Sequence, residues 1–308
     1  MDSLPTLRRA LHHPLTRLVF CIVLASVLTG LVRLLYLLLD LHWWASEVQQ
    51  TLFMATGSAL AALLTLVLVD GLLERKNLEQ LGLRRRGALR ELGWGTLLGA
   101  GQMALVVGVL ALAGWYELVE GRPETVQDEV RGALWWAGIF AAAGFQEEVL
   151  FRGIGFRLLE EWLGSAAALV LSSAFFGLVH IGNPNATPFA TLAIAVEAGV
   201  MLGGAYMLTR SLWFATGAHI AWNWVQGPFF GIAVSGTKQD SLLEGRLVGP
   251  EVWTGGAFGA EAGGVALLVG TAVGVLLVVA AARRGRWVPL LPRRVARQQP
   301  QPPPAPVT

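Results

Sequence analysis

Residues 144–153 read GFQEEVLFRG and decide how the rest of the chain is read. They lie in a stretch, 133–152, that is otherwise apolar and long enough to cross a membrane. Within six positions they place Glu147, Glu148 and Arg152. An ionisable side chain at the bilayer centre costs about 2.5–3.5 kcal/mol on insertion scales. Such groups face a bundle interior or a water-filled cavity and mark a functional site.

The surrounding composition agrees with a membrane setting. The 308 residues are 54% hydrophobic and only 14% charged, and mean hydropathy is +0.56. Ordinary soluble domains carry about a quarter charged residues. Eight apolar runs approach or exceed the ~20 residues that cross a bilayer core: 18–39, 52–72, 92–118, 133–152, 165–181, 188–208, 212–234 and 262–282. The first run, preceded by Arg8, Arg9 and Arg17, is too long for a signal-peptide core and reads as a retained anchor. The expected fold class is all-α: a polytopic transmembrane helix bundle of about eight spans.

Basic residues orient that bundle. Arg8, Arg9 and Arg17 share the inner side with Arg75, Lys76, Arg84, Arg85, Arg86 and Arg90. Arg152, Arg157, Arg210, Arg283, Arg284, Arg286, Arg293, Arg294 and Arg297 join them. The alternate segments hold only Arg122, Arg131, Lys238 and Arg246. The positive-inside rule then predicts both termini in the cytoplasm, as an even number of spans requires. Three parts follow: a cytoplasmic N-terminal segment 1–17, a transmembrane domain 18–282, and a tail 283–308 that is basic, then Pro-rich and disordered. The segment 236–261 reads as an irregular outer loop that caps the bundle. Cys21 is the only cysteine, which excludes disulfides and Cys-based metal sites. A net charge of +2 gives no reason to expect nucleic acid as a partner.

Three polar groupings stand on spans: Glu147, Glu148 and Arg152; Phe176 and His180; His219 and Asn223. Residues four apart share a helix face. Glu148 therefore pairs with Arg152, and His219 stands beside Asn223. Glu147 points about 100° away from Glu148 and lacks a local counter-ion. It suits a general base for water, with His180 orienting that water. His219 and Asn223 supply N–H donors of the kind that stabilise an oxyanion. Glu197, alone on the sixth run, either lines the cavity or bonds a neighbouring helix. The H-E-x-x-H zinc pattern is absent, and no aspartate pair lies in facing spans, since Asp40 and Asp70 sit at run ends. One tension remains in the depths. At 1.5 Å per residue Glu147 and His219 agree, whereas His180 falls about 23 Å from the inner end of its run, too far out unless the helix tilts or starts deeper.

The set E-E-x-x-x-R, F-x-x-x-H and H-x-x-x-N resembles the type II CAAX prenyl endopeptidase (CPBP) family over roughly 133–236. The resemblance implies a bundle of about eight helices and an intramembrane endopeptidase. It implies that Glu147 and His180 activate water, that His219 and Asn223 stabilise the oxyanion, and that Glu148, Arg152 and Phe176 support them. On that glutamate mechanism no cofactor is required. By residue type Glu147, His180 and His219 would accept zinc, so the sequence leaves the metal open. The implied partners are the lipid bilayer and a membrane-anchored or membrane-proximal peptide. The implied location is a bacterial inner membrane. Two other readings compete: a non-proteolytic membrane partner of the immunity type, and a proton-coupled transporter, against which the lack of paired broken helices counts.

Overall fold

A computed structural model of the chain describes residues 10–119 and 125–290. The basic residues Arg8, Arg9, Arg122, Arg293, Arg294 and Arg297, and the Pro-rich tail, lie outside them. Helix α1 (Pro14–Leu38) opens with Pro14 at its first turn. Helix α2 (Glu47–Leu66) starts on a capping box, in which Ser46 and Gln49 satisfy each other's backbone N–H groups. It runs on into a π-helical segment, π1 (Val67–Leu73). Helix α3 (Ala88–Leu112) follows. Helix α4 (Val126–Glu148) passes through π2 (Val149–Phe156) into α5 (Arg157–Val179). Helix α6 (Pro188–Ile194), π3 (Ala195–Gly199) and α7 (Val200–Thr209) form one further rod. Helix α8 (Leu212–Trp224) ends in π4 (Val225–Phe229), and α9 (Gly264–Arg283) closes the bundle.

Among the described residues, six helical stretches are long and apolar enough to span. One of these, Val126–Gly182, has 57 residues, or about 85 Å of helix against a core of about 30 Å. It breaks at Gly164, where φ is 78° and the helix reverses. That stretch therefore holds two spans, and α8 with π4 adds one more. The result is the expected all-α multi-pass bundle of eight rods.

The run boundaries need correction at two places. The third run, read as 92–118, stops at Leu112, because Gly114 takes φ 72° and residues 116–118 turn into a strand. The seventh, read as 212–234, stops at Phe229, where Pro228 and then Gly231 at φ 71° end the helix. Strand β1 (Tyr116–Leu118) pairs antiparallel with β2 (Gly245–Leu247), and Glu117 faces Arg246 at 2.7 Å. The outer segment is thus partly ordered, and it folds over one end of the bundle.

Small residues let the rods approach. A Cβ on Gly99 of α3 would lie 2.0 Å from the Ala218 carbonyl of α8, and one on Gly217 of α8 would lie 2.2 Å from that of Leu92. Only glycine tolerates such backbone contact, which is how helices pack closely in lipid. Gly199 presses on Ser173, and Gly204 on Gly274 and Leu277.

The opposite end from the strand pair gathers the basic segments. Buried Arg17 of α1 donates to Asp70 of π1 at 3.0 Å and to Glu161 of α5 at 2.5 Å. Arg157 donates to the other Asp70 oxygen at 2.5 Å. Arg210 donates to Glu160 and to the Arg286 carbonyl. Beyond α9 the chain returns to the break at Gly164 within α5, where Ser165 and Val288 exchange two hydrogen bonds of 2.8 Å. Segments assigned to one membrane face by their charge therefore meet at one end of the molecule.

Candidate active site

Each polar residue of the site stands at or near a change of helix type. Glu147 and Glu148 end α4, and Arg152 lies in π2. Glu197 is in the middle of π3. His219 and Asn223 lie on the last turns of α8 before π4. His180 closes α5 in a short 3₁₀ turn. π-Bulges rotate side chains relative to an α-helix and are frequent at functional sites. Here they turn residues from four rods toward one cavity.

That cavity has a volume of about 50 Å³. Glu147, Phe176, His180, Glu197, His219 and Asn223 all line it, together with Ser235 and Glu261. His180 thus shares the cavity with Glu147 and His219, despite the depth its position along α5 suggests.

The Glu148 carboxylate is fully buried. Its Oε1 accepts from Arg152 Nη1 at 2.8 Å, so the expected ion pair is present. The same oxygen lies 2.9 Å from Nδ1 of His219, a contact between helices that the sequence did not reveal. Arg152 also donates to the Ala198 carbonyl at 3.3 Å and places its guanidinium 4.6 Å from the centre of the Phe176 ring.

The other face of His219 looks toward Glu147. Its Nε2 stands 3.7 Å from Glu147 Oε2, which is too far for a direct hydrogen bond. Glu147 Oε2 is buried and has no hydrogen-bond partner, although the side chain as a whole is 31% exposed. The two glutamates therefore divide as helix geometry suggested. Glu148 is spent on Arg152 and His219, and Glu147 keeps a free oxygen in the cavity.

Phe176 is the hub of the site. Its ring lies 4.9 Å from those of Phe151 and His180 and 6.0 Å from that of His219. Nδ1 of His180 sits 2.7 Å from the Phe176 carbonyl, which fixes the ring and leaves Nε2 for the cavity.

Glu261 and Ser235 are cavity residues that the sequence analysis missed. They lie in the outer segment, where no helical period marks an inward side. The Ser235 N–H donates to Glu261 Oε1 at 2.6 Å, and Gln226 of π4 donates its amide to Oε2. Burial pushes the Glu261 carboxyl up to about 8. An environment of that kind penalises uncompensated charge.

The set considered for zinc, Glu147, His180 and His219, shares the cavity. Among the described residues, however, no three His, Cys, Asp or Glu side chains gather as a metal-ligand group. His219 has Nδ1 committed to Glu148, which leaves Nε2 as the ring nitrogen that faces Glu147.

No curated protein and no solved structure matches the chain. Residues 129–225 match the family model of type II CAAX prenyl endopeptidase Rce1-like proteins. That span contains Glu147, Glu148, Arg152, Phe176, His180, His219 and Asn223. Over residues 129–225 this multi-pass membrane protein therefore bears the signature of the type II CAAX prenyl endopeptidase family, the resemblance its three motifs carry.

Proposed function

We propose that the protein is an intramembrane endopeptidase that hydrolyses a peptide bond with water activated by Glu147. The observation that carries this reading is the unequal pair of glutamates about His219. One is consumed in holding Arg152 and the imidazole; the other has an unpartnered oxygen in the polar cavity.

In the proposed reaction Glu147 takes a proton from water, with His180 Nε2 aligning it. The resulting hydroxide adds to the carbonyl carbon, and the carbonyl oxygen takes the electron pair. A carboxylate at His219 Nδ1 favours a proton there and stabilises a cationic ring, as in catalytic triads. Nε2–H can then donate to the oxyanion beside the Asn223 amide. Collapse breaks the C–N bond, and the proton held by Glu147 passes to the leaving nitrogen. Glu148 acts as a positioning residue for His219. No step is routed through a metal. The reading includes a bacterial inner-membrane location, cytoplasmic termini and a membrane-anchored or membrane-proximal peptide substrate.

The test is Glu147→Gln in the purified protein and in cells. Cleavage should fall by about 10²–10⁴-fold, the contribution of a general base, with thermal stability retained. Precursor peptides should accumulate in the variant's membrane proteome. Unchanged cleavage by Glu147→Gln overturns the assignment, and unchanged biological activity without any cleavage favours a non-proteolytic membrane partner. Wild-type activity should survive a chelator; loss on chelation and recovery with zinc would overturn the metal-free route.

A further inference from the structure

The cavity holds a second acidic centre that the proposed reaction does not use. Glu197 enters it from π3, and Glu261 from the outer segment just before α9. Glu197 is 1% exposed, and neither carboxylate oxygen has a hydrogen-bond partner. Its carboxylate packs against Gly270 of α9, where an added Cβ would meet Oε2 at 2.7 Å. Among the described residues no arginine, lysine or histidine forms an ion pair with Glu197 or Glu261. Arg152, the nearest cation along π2, is occupied by Glu148 and by the carbonyl next to Glu197 in sequence.

Burying a polar group without a partner costs several kcal/mol on an alkane scale. A carboxylate left bare at that cost, with a second acid close by, is complementary to a cation. Size decides which kind. A cavity of about 50 Å³ has room for a few waters, at roughly 10–15 Å³ of such space each, and so for a compact head group. An ammonium head is a compact point charge with three rotatable donors, whereas a guanidinium needs a flat, wider slot.

We propose that Glu197 and Glu261 form a substrate subsite that receives a primary ammonium group, with Glu261 held in place by Ser235 and Gln226 and Glu197 as the free arm. This rests on the proteolytic reading of the same cavity. It makes the enzyme selective for peptides that carry a lysine side chain or a free N-terminus near the scissile bond.

Two measurements on the purified full-length protein in lipid nanodiscs test it. The first is thermal stability with methylammonium chloride against sodium chloride at equal ionic strength. Wild type should gain about 2–4 °C at saturation, as expected for roughly 1 kcal/mol of ligand stabilisation. Glu197→Gln should lose the gain, and Glu147→Gln should keep it. Glu261→Gln should also lose it, and serves where Glu197→Gln does not fold. No gain in wild type, or a gain lost with Glu147 rather than with Glu197, overturns the subsite.

The second measurement is cleavage of a peptide library with lysine, citrulline or norleucine at each position. Wild type should favour lysine, or a free over an acetylated N-terminus, by at least about tenfold, or ~1.4 kcal/mol. Glu197→Gln should lose that preference and still cut neutral peptides. Cleavage indifferent to the cation overturns the subsite alone. If wild type cuts no peptide, the proteolytic reading fails, and the methylammonium shift still decides whether the cation site exists.

Discussion

Glu148 shows how much one carboxylate can carry. It neutralises a buried guanidinium and orients an imidazole from another helix through the same oxygen. Removing it leaves Arg152 charged and unpaired against Phe176, and removing one partner of a buried pair costs about 3–5 kcal/mol. Glu148→Ala should therefore lower the melting temperature and abolish cleavage together, whereas Glu147→Gln should abolish cleavage alone. Circular dichroism melts of the two variants in one detergent would separate them. The difference between the neighbours was legible in sequence, since adjacent helical residues point about 100° apart. The bond from Glu148 to His219 was not. The two residues are 71 positions apart, and spacing along a chain reports only contacts within an element.

At the scale of elements, close approach of α3 and α8 holds His219 and Asn223 in register with α4. A Cβ at Gly99 would meet the Ala218 backbone at 2.0 Å, while one at Gly101, on the same helix, would meet nothing within 4 Å. Gly99→Val should prevent assembly, and Gly101→Val should be tolerated. Size-exclusion profiles of detergent-extracted protein would report both, and a monodisperse Gly99→Val variant would refute the packing argument. Apolar run length identified these rods because lipid demands it. It could not reveal where a rod changes pitch. Each π segment sets one polar residue (Asp70, Arg152, Glu197 or Gln226) among apolar ones, and tertiary contacts decide its hydrogen-bond pattern. The third run overshot for a related reason: Tyr116 and Leu118 are as apolar in a strand as in a helix, and only Gly114 betrays the end.

At the scale of the whole molecule, the outer segment closes over part of the cavity. The outer segment supplies Ser235 and Glu261 to its wall and is tied down by β1–β2 pairing. On the proposed reading, that cover is where substrate enters. Glu117 and Arg246 are directly opposed across the strands. A Glu117→Cys, Arg246→Cys variant should lose most of its cleavage when oxidised and regain it with reductant. Activity indifferent to the crosslink would mean that substrate enters between the rods. The charge asymmetry of the sequence anticipated which segments cluster at the far end, because long-range sorting leaves a compositional trace. The pairing of a loop strand with a residue run 129 positions away leaves none.

The bonds between Ser165 and Val288 also set an order in time. Ser165 leaves the ribosome 123 residues before its partner, so for most of synthesis the reversal at Gly164 has no latch. The rods bearing Glu147 and His180 meet through Phe151 and Phe176, and a second clamp at their far end is added when the last few residues of the described chain arrive. The cavity wall that Glu261 supplies also comes late in the chain, just before the final span. On the proposed reading, the last parts to arrive act as a delay on the first cut.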